Sequence, residues 1–309
     1  MTSPTKSVAA PRRVVVVGLG RHGQHRAEQL RLLPDWQVAG LCDLDSEALV
    51  RCATLGEPRD WTSVLRDQHV DVVWLATPIE TRVELATAAL EANKHVVVEP
   101  PLAASVAEFD KVLKLAESCG RSLTVAHSRR FDPDFQTPLR LVRQGELGTL
   151  ELLTLTLWQQ HPAPLQGTTL WNFAPDFCDQ LLLLADSRPT GMTAYPLKHT
   201  GLGADYGLLA IIQFGSGAIA RLELHRSALP PVDSGWMLTG TRGGYARGTQ
   251  YFVTAQQEIE DVPLPPETGS QDSFYAVLAS HLRHGTPSPV TTSEARQVVS
   301  LLEALQEAG

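Results

Sequence analysis

Four consecutive valines, Val14–Val17, run directly into Gly18-Leu19-Gly20-Arg21-His22-Gly23, and no other stretch limits the fold as tightly. An unbroken β-branched run reads as a strand buried on both faces, the kind found inside a parallel sheet. The glycines keep G-x-G-x-x-G spacing and Gln24–Leu33 has helix composition, so the unit is strand, glycine turn, helix. Gly18 permits the tight turn, Gly20 lets a pyrophosphate approach the backbone, and Gly23 lets the helix pack close to the strand. The free N–H groups and positive dipole end of that helix, at Arg21, His22 and Gly23, would hold the phosphates. A second apolar run, Val38–Cys42, ends in Asp43, about 20 residues past the last glycine, where a ribose-binding carboxylate belongs. Together these residues read as a dinucleotide site.

The rest of the chain continues the alternation. Ser46–Leu55 and Asp60–Arg66 read as helices, Val70–Leu75 as a third strand closing at Ala76-Thr77-Pro78, and Glu80–Asn93 as an alanine-rich helix. His95–Val98 is a fourth strand ending at Glu99-Pro100-Pro101. Ser105–Cys119 is an amphipathic helix capped by Gly120, and Leu123–Ala126 a fifth strand. This rhythm predicts an α/β, doubly wound parallel sheet, with Thr77, Pro78, Glu99 and Pro100 at its carboxyl edge, where ligands bind in such folds. After the helix Asp134–Gln144, strands dominate. They run over Leu150–Trp158, Thr190–Tyr195, Leu208–Phe214, Ala218–His225, Trp236–Thr239 and Tyr251–Val253, with Gly215-Ser216-Gly217 as a hairpin turn. Helices over Ser273–Arg283 and Ser293–Glu307 close the chain. The expected organisation is a disordered tail over 1–12, a dinucleotide-binding domain over 13–128 and a substrate domain over 129–309.

Charge and composition exclude several classes. The net charge is −8, from 26 basic and 34 acidic residues, and no basic block occurs, which argues against nucleic acid or an anionic membrane as partner. No apolar run approaches the ~18 residues that would span a bilayer. Arg12-Arg13 is no twin-arginine export signal, because the apolar run behind it meets Arg21-His22 without a small-residue cleavage site. Cys42, Cys52, Cys119 and Cys178 form no C-x-x-C pair, so reduced, mostly buried thiols in a cytoplasmic protein are expected. His281-x-x-His284 has helical spacing but no carboxylate nearby in sequence, and reads as dipole-complementing surface rather than metal ligation.

Six motifs occur in an order that resembles the glucose–fructose oxidoreductase and inositol dehydrogenase family (Gfo/Idh/MocA). They are Gly18–Gly23, Ala76-Thr77-Pro78, Lys94–Glu99, Arg130-Phe131-Asp132-Pro133, Gly145-Glu146-Leu147-Gly148 and Gly240-Thr241-Arg242-Gly243-Gly244. The resemblance runs from Arg13 to the last helix. It implies an N-terminal Rossmann domain and a C-terminal α/β domain with an open, mostly antiparallel sheet. It also implies a nicotinamide cofactor, a sugar or polyol substrate, and dimers or tetramers built through that sheet.

The departures from the family pattern concern proton transfer. Where the family has Glu-Lys-Pro, this chain has Glu99-Pro100-Pro101, and Pro100 can neither donate, accept nor carry charge. The family's Asp and its His four residues on are matched by Asn172 and Asp176; only Asp179 keeps the family residue. Arg82 stands where the family has a His after Thr-Pro. Asp176 becomes the first candidate for the acid–base group, with His161 and His127 in reserve. Asp176 also fits a purely structural role, since a helix N-terminus favours a carboxylate. Asn172 reads as a helix cap. Trp158-Gln159-Gln160-His161 offers ring and hydrogen-bonding groups that a sugar would suit, although core packing explains Trp158 equally.

Two classes accommodate these features: an oxidoreductase moving hydride between nicotinamide and a small alcohol or carbonyl, or a dinucleotide-binding sensor or assembly subunit whose chemistry has lapsed. Asp43 favours NAD over NADP, because a carboxylate accepts from a free ribose 2′-OH and repels a 2′-phosphate.

Overall fold

The computed structural model describes residues 10–158, 168–198, 205–226, 234–253, 259–265 and 270–309. The chain opens with β1 (Arg12–Val17), α1 (Arg21–Leu32), β2 (Trp36–Cys42), α2 (Ser46–Arg51), α3 (Trp61–Arg66) and β3 (Val72–Leu75). α4 (Ile79–Glu91), β4 (His95–Val98), α5 (Val106–Cys119) and β5 (Leu123–Val125) complete the alternation. A short 3₁₀ turn, Ser128–Phe131, leads to α6 (Pro133–Arg143), β6 (Leu150–Trp158), α7 (Thr169–Asn172) and α8 (Pro175–Ala185). Seven strands follow: β7 (Pro189–Lys198), β8 (Asp205–Phe214), β9 (Ile219–His225), β10 (Gly235–Gly240), β11 (Gly243–Ala246), β12 (Thr249–Val253) and β13 (Ile259–Pro263). Helices α9 (Asp272–His284) and α10 (Thr292–Glu307) end the fold. No helix among the described residues is long and apolar enough to cross a membrane.

Two compact units form. The first comprises residues up to Ala103, Ala107–Ala126 and Asp272–Thr292; the second comprises Ala104–Val106, His127–Gln271 and Ser293–Gly309. The first holds a five-stranded parallel sheet in the order β2-β1-β3-β4-β5. Every residue of Val14–Val17, Val72–Leu75 and Val96–Val98 is at most 5% exposed, as strands covered on both faces must be. The strand order reverses between β1 and β3, which places the switch point of the sheet at the Gly18 turn.

In two places the first unit differs from expectation. Arg12 opens β1 and pairs with Trp36, so strand structure begins inside the segment read as a tail. Asp272–Thr292 clusters with the first unit, not with the second. The reason is aromatic: Tyr275 stacks on the fully buried Trp74 at 5.6 Å, Phe274 meets it edge-on at 6.4 Å, and the Tyr275 carbonyl accepts from Trp36 Nε1 at 3.2 Å.

The same aromatic group encloses an ion pair. Arg26 of α1 bridges both oxygens of Glu99, Nε to Oε1 at 2.8 Å and Nη2 to Oε2 at 3.1 Å. Trp74 Nε1 donates to Oε1 at 2.8 Å, and Arg26 Nη1 donates to the Tyr275 hydroxyl at 3.0 Å.

The second unit is an eight-stranded sheet in the order β13-β12-β11-β10-β6-β9-β8-β7, antiparallel except for the parallel pair β6–β9. One face supplies Leu153, Leu155, Ala210, Ile212, Leu222 and Leu224 to a core completed by Phe177 and Leu181 of α8 and Leu301, Leu302 and Leu305 of α10. The opposite face leaves Leu152, Ile219 and Met237 between 41% and 44% exposed, and Leu152 lies directly beside Ile219. The Gly215–Gly217 hairpin forms between β8 and β9 as expected, with Gly217 at φ +93°.

β11 and β13 have no counterpart in the sequence reading. β11 starts with two glycines, and a Cβ at Gly243 would stand 2.2 Å from the Tyr251 carbonyl, so close strand pairing replaces side-chain pattern there. β13 is a wholly exposed edge strand carrying Glu260, Asp261 and Pro263, which removes the apolar alternation that marks a strand.

Burial resists ionisation of Glu99, but the Arg26 charge and hydrogen bonds, helped by His22 and Trp74, outweigh it and hold the carboxyl at about 2. A depressed carboxyl contributes stability above its unfolded value near 4.5 and loses it as pH falls toward about 2. Glu99→Gln should therefore lower unfolding free energy by about 3–5 kcal/mol at neutral pH, because Arg26 is left buried without a counter-charge. The deficit should shrink as pH drops below 4.5; urea denaturation at pH 7 and pH 3 measures both, and an equal deficit at the two values contradicts the assignment.

Candidate active site

The glycine turn is shaped by missing atoms. A Cβ at Gly23 would lie 1.7 Å from the Gly18 carbonyl oxygen, so only glycine lets α1 settle this close to the turn. Gly18 has φ +87°, and a Cβ there would meet the Ala76 backbone at 2.8 Å and Thr77 Cγ2 at 2.9 Å. Gly20 is different: it is the extended N-cap of α1, and a Cβ there would meet nothing within 4 Å. Open space over Gly20, beside a helix start that no side chain caps and whose first two residues, Arg21 and His22, are exposed, is what a dinucleotide pyrophosphate requires. The residues present fit a nicotinamide dinucleotide.

Asp43 borders this cradle at the end of β2. Its Oδ2 accepts the Leu19 N–H at 2.5 Å and its Oδ1 accepts the Asp45 N–H at 2.8 Å, which ties the end of β2 to the glycine turn. Leu44 beside it is fully exposed. At the end of β3, Ala76 donates to the Val17 carbonyl, and Pro78 caps α4. Thr77 lies against Gly18 and shares a 3.0 Å hydroxyl contact with Thr81.

One candidate is placed otherwise than the sequence suggests. Glu99 stands at the carboxyl end of β4, but its carboxylate turns inward and both oxygens are occupied by Arg26 and Trp74. It is 5% exposed. Its partner is a buried guanidinium 73 residues away in sequence. Pro100 follows it there, half-buried and without a titratable group.

The second unit gathers its own polar cluster. Asp176 and Asp179 project from the first turns of α8, one helical turn apart, and both meet the segment His127–Phe131. Asp179, 2% exposed, takes two bonds from Arg130, at 2.6 Å from Nε and 2.5 Å from Nη2, while Arg130 Nη1 donates to Glu294 at 3.0 Å. Gln180 Nε2 donates to the Arg129 carbonyl at 3.0 Å and its Oε1 accepts from Trp236, pinning the same segment.

Against this rigid frame, Asp176 Oδ1 lies 3.0 Å from His127 Nδ1. His127 is 1% exposed, and its Nε2 has no hydrogen-bond partner among the described residues. The Asp176 side chain is 26% exposed, and its Oδ2 has no partner among the described residues. A carboxyl group fixed through one oxygen and open at the other can hold or take a proton.

The remaining candidates divide. His161 lies outside the described residues. Trp158 stacks on His225, its register partner on β9, with centroids 4.0 Å apart and planes at 16°. It lines a hollow of about 740 Å³ with Glu223, Trp236, Tyr245 and Arg247. Asn172 is the last residue of α7, and the N-cap of α8 is Ala174, so Asn172 is not the cap that its place in the sequence suggested. His281 Nδ1 lies 2.6 Å from the Thr286 carbonyl, and no group of three or more metal-ligating side chains occurs among the described residues.

The family model for an oxidoreductase family with an NAD-binding Rossmann fold, GFO_IDH_MocA, matches residues 12–127. The myo-inositol 2-dehydrogenase of Thermotoga maritima is 30% identical over 277 residues, which cover 85% of this chain and 81% of that protein. The chain belongs to the Gfo/Idh/MocA family. A second relative, the scyllo-inositol 2-dehydrogenase (NADP(+)) IolW of Bacillus subtilis, is 24% identical over 96% of this chain and 93% of its own length. An NAD-binding protein from Listeria innocua superposes with a TM-score of 0.88 at 26% identity, covering 96% of this chain and 94% of its own. This member of the Gfo/Idh/MocA family is accordingly an oxidoreductase with an NAD(P)-binding Rossmann fold.

Proposed function

We propose that the protein oxidises a small alcohol, sugar-like or otherwise, with NAD as hydride acceptor and Asp176 as the base. Bound at the glycine turn, nicotinamide supplies the hydride-accepting carbon. The residues of the chain must then manage the proton, since oxidation of an alcohol removes one hydride and one proton. Pro100 cannot do this. The observation that carries the reading is the half-open carboxylate of Asp176. His127 donates from Nδ1 to one oxygen and orients the group, and the other oxygen is left to accept the substrate's hydroxyl proton. His127 itself, at 1% exposure, acts through Asp176.

Asp176→Asn keeps the shape but cannot accept a proton, so turnover of an active alcohol should fall by about 10²-fold or more with NAD(H) affinity unchanged. Normal turnover in that variant removes Asp176 from the mechanism. Pro100 favours one other reading, a dinucleotide-binding sensor or assembly subunit. Wild-type protein that binds NAD(H) yet turns over no sugar, polyol or small ketone would support it.

Cofactor choice rests on Asp43. Its carboxylate offers acceptors to a ribose 2′-OH, and Leu44-Asp45 brings no arginine to neutralise a 2′-phosphate. The relative named for NADP(+) makes the choice a property of the individual chain. Fluorescence titration should give tighter binding of NADH than NADPH; equal affinity or the reverse order refutes the preference.

The exposed sheet face carrying Leu152, Ile219 and Met237 supports a homodimer or homotetramer formed through it. Light scattering at micromolar concentration should return a multiple of the 33.6 kDa chain mass, and a monomer mass rejects it.

A further inference from the structure

Arg82 occupies the fourth position of α4, in the turn where the helix dipole is positive and a cation is disfavoured. Its guanidinium is held by three carbonyls. Nε donates to Thr77 at 2.8 Å, and Nη1 donates to Glu99 at 3.0 Å and to Pro101 at 2.6 Å. All three acceptors lie just past the carboxyl ends of β3 and β4, on the same edge as the glycine turn that Thr77 touches. Nη2 has no hydrogen-bond partner among the described residues and is not one of the buried polar atoms.

Among the described residues no carboxylate lies within ion-pair distance of this cation. Glu99 is committed to Arg26 through both oxygens, and Glu80 is exposed on the helix surface. Burial draws the Arg82 pKa down to about 10 even though Glu99 and Glu80 pull it upward. It stays charged at neutral pH and cannot serve as a base. The three carbonyl bonds account for a strap joining the two strand ends, and a neutral donor would meet that need. They do not account for a positive charge placed against the helix dipole, partly desolvated, with one donor uncommitted.

We infer that Arg82 Nη2 binds the carboxylate of the substrate, so that the alcohols and carbonyls accepted carry an acid group, as in aldonic, uronic or hydroxy acids. The inference rests on the oxidoreductase reading and narrows its substrate class. A guanidinium is the side chain suited to this task, because it pairs with oxyanions through directed N–H bonds and keeps its charge when partly buried.

The test follows quenching or enhancement of NADH fluorescence in the protein saturated with NADH, during titration with D-gluconate and with its neutral counterpart D-sorbitol. Wild-type protein should bind gluconate at least 10-fold more tightly. Arg82→Gln should weaken gluconate by about 10- to 100-fold while sorbitol and NADH affinities stay within about 2-fold. Equal weakening of both ligands would make Arg82 a strap only, and a main loss in NADH affinity would make it a cofactor contact; either overturns the inference. Should Arg82→Gln fail to fold, Arg82→Lys carries the test: the gluconate preference persists with the charge, and its disappearance refutes the assignment. Failure of wild-type protein to bind NADH overturns the function itself, whereas NADH binding without a carboxylate preference overturns this inference alone.

Discussion

The buried pair between Arg26 and Glu99 is the interaction on which the first unit depends. It joins α1, the helix that follows the glycine turn, to the exit of β4, with Trp74 of β3 and Tyr275 of α9 as its other partners. Hydrophobic burial alone would allow these elements to slide, because it has no direction. A two-pronged guanidinium–carboxylate contact inside an aromatic shell fixes distance and angle. It also has an electrostatic consequence at the sheet edge. With the Glu99 carboxylate turned onto Arg26, the nearby Arg82 meets Glu99 only at its carbonyl, and no carboxylate among the described residues lies within ion-pair distance of it.

The two units carry different parts of the chemistry. The first offers a dinucleotide the backbone N–H groups of a helix start, a glycine surface and the Asp43 carboxylate. The second brings carboxylates onto one helix start and assigns them different partners. Asp179 is buried against Arg130, which serves architecture, whereas Asp176 keeps one oxygen open. The same residue type three positions apart thus sits in two settings, Asp179 2% exposed and the Asp176 side chain 26% exposed.

Much of the fold was legible because its signals are local. The valine run, the glycine spacing and Asp43 all fall within one strand–helix–strand stretch, and the parallel strands announce themselves through apolar runs buried on both faces. The elements that escaped reading lack such a signal: β11 is specified by glycines that admit a neighbouring backbone, and β13 is an acidic edge. The candidate residues could be named from the sequence one by one, but their pairings could not. His127 and Asp176 stand 49 residues apart, Arg26 and Glu99 stand 73 apart, and α9 reaches Trp74 from the far end of the sequence. A carboxylate at a strand end looks the same in sequence whether it faces a ligand or a buried arginine. That is why the position of Glu99 at the end of a strand was legible and the direction of its carboxylate was not.

The bonds made by Asp43 have an implication for redesign. The carboxylate that would discriminate between two cofactors also accepts the Leu19 N–H inside the glycine turn. The proposed selectivity and the turn geometry would therefore rest on one side chain. Replacing it with a small apolar residue to admit a 2′-phosphate would remove the repulsion and at the same time free the N–H that shapes the phosphate cradle. A productive switch has to keep an acceptor at position 43, as Asn or Ser does, and bring the compensating cation from another position.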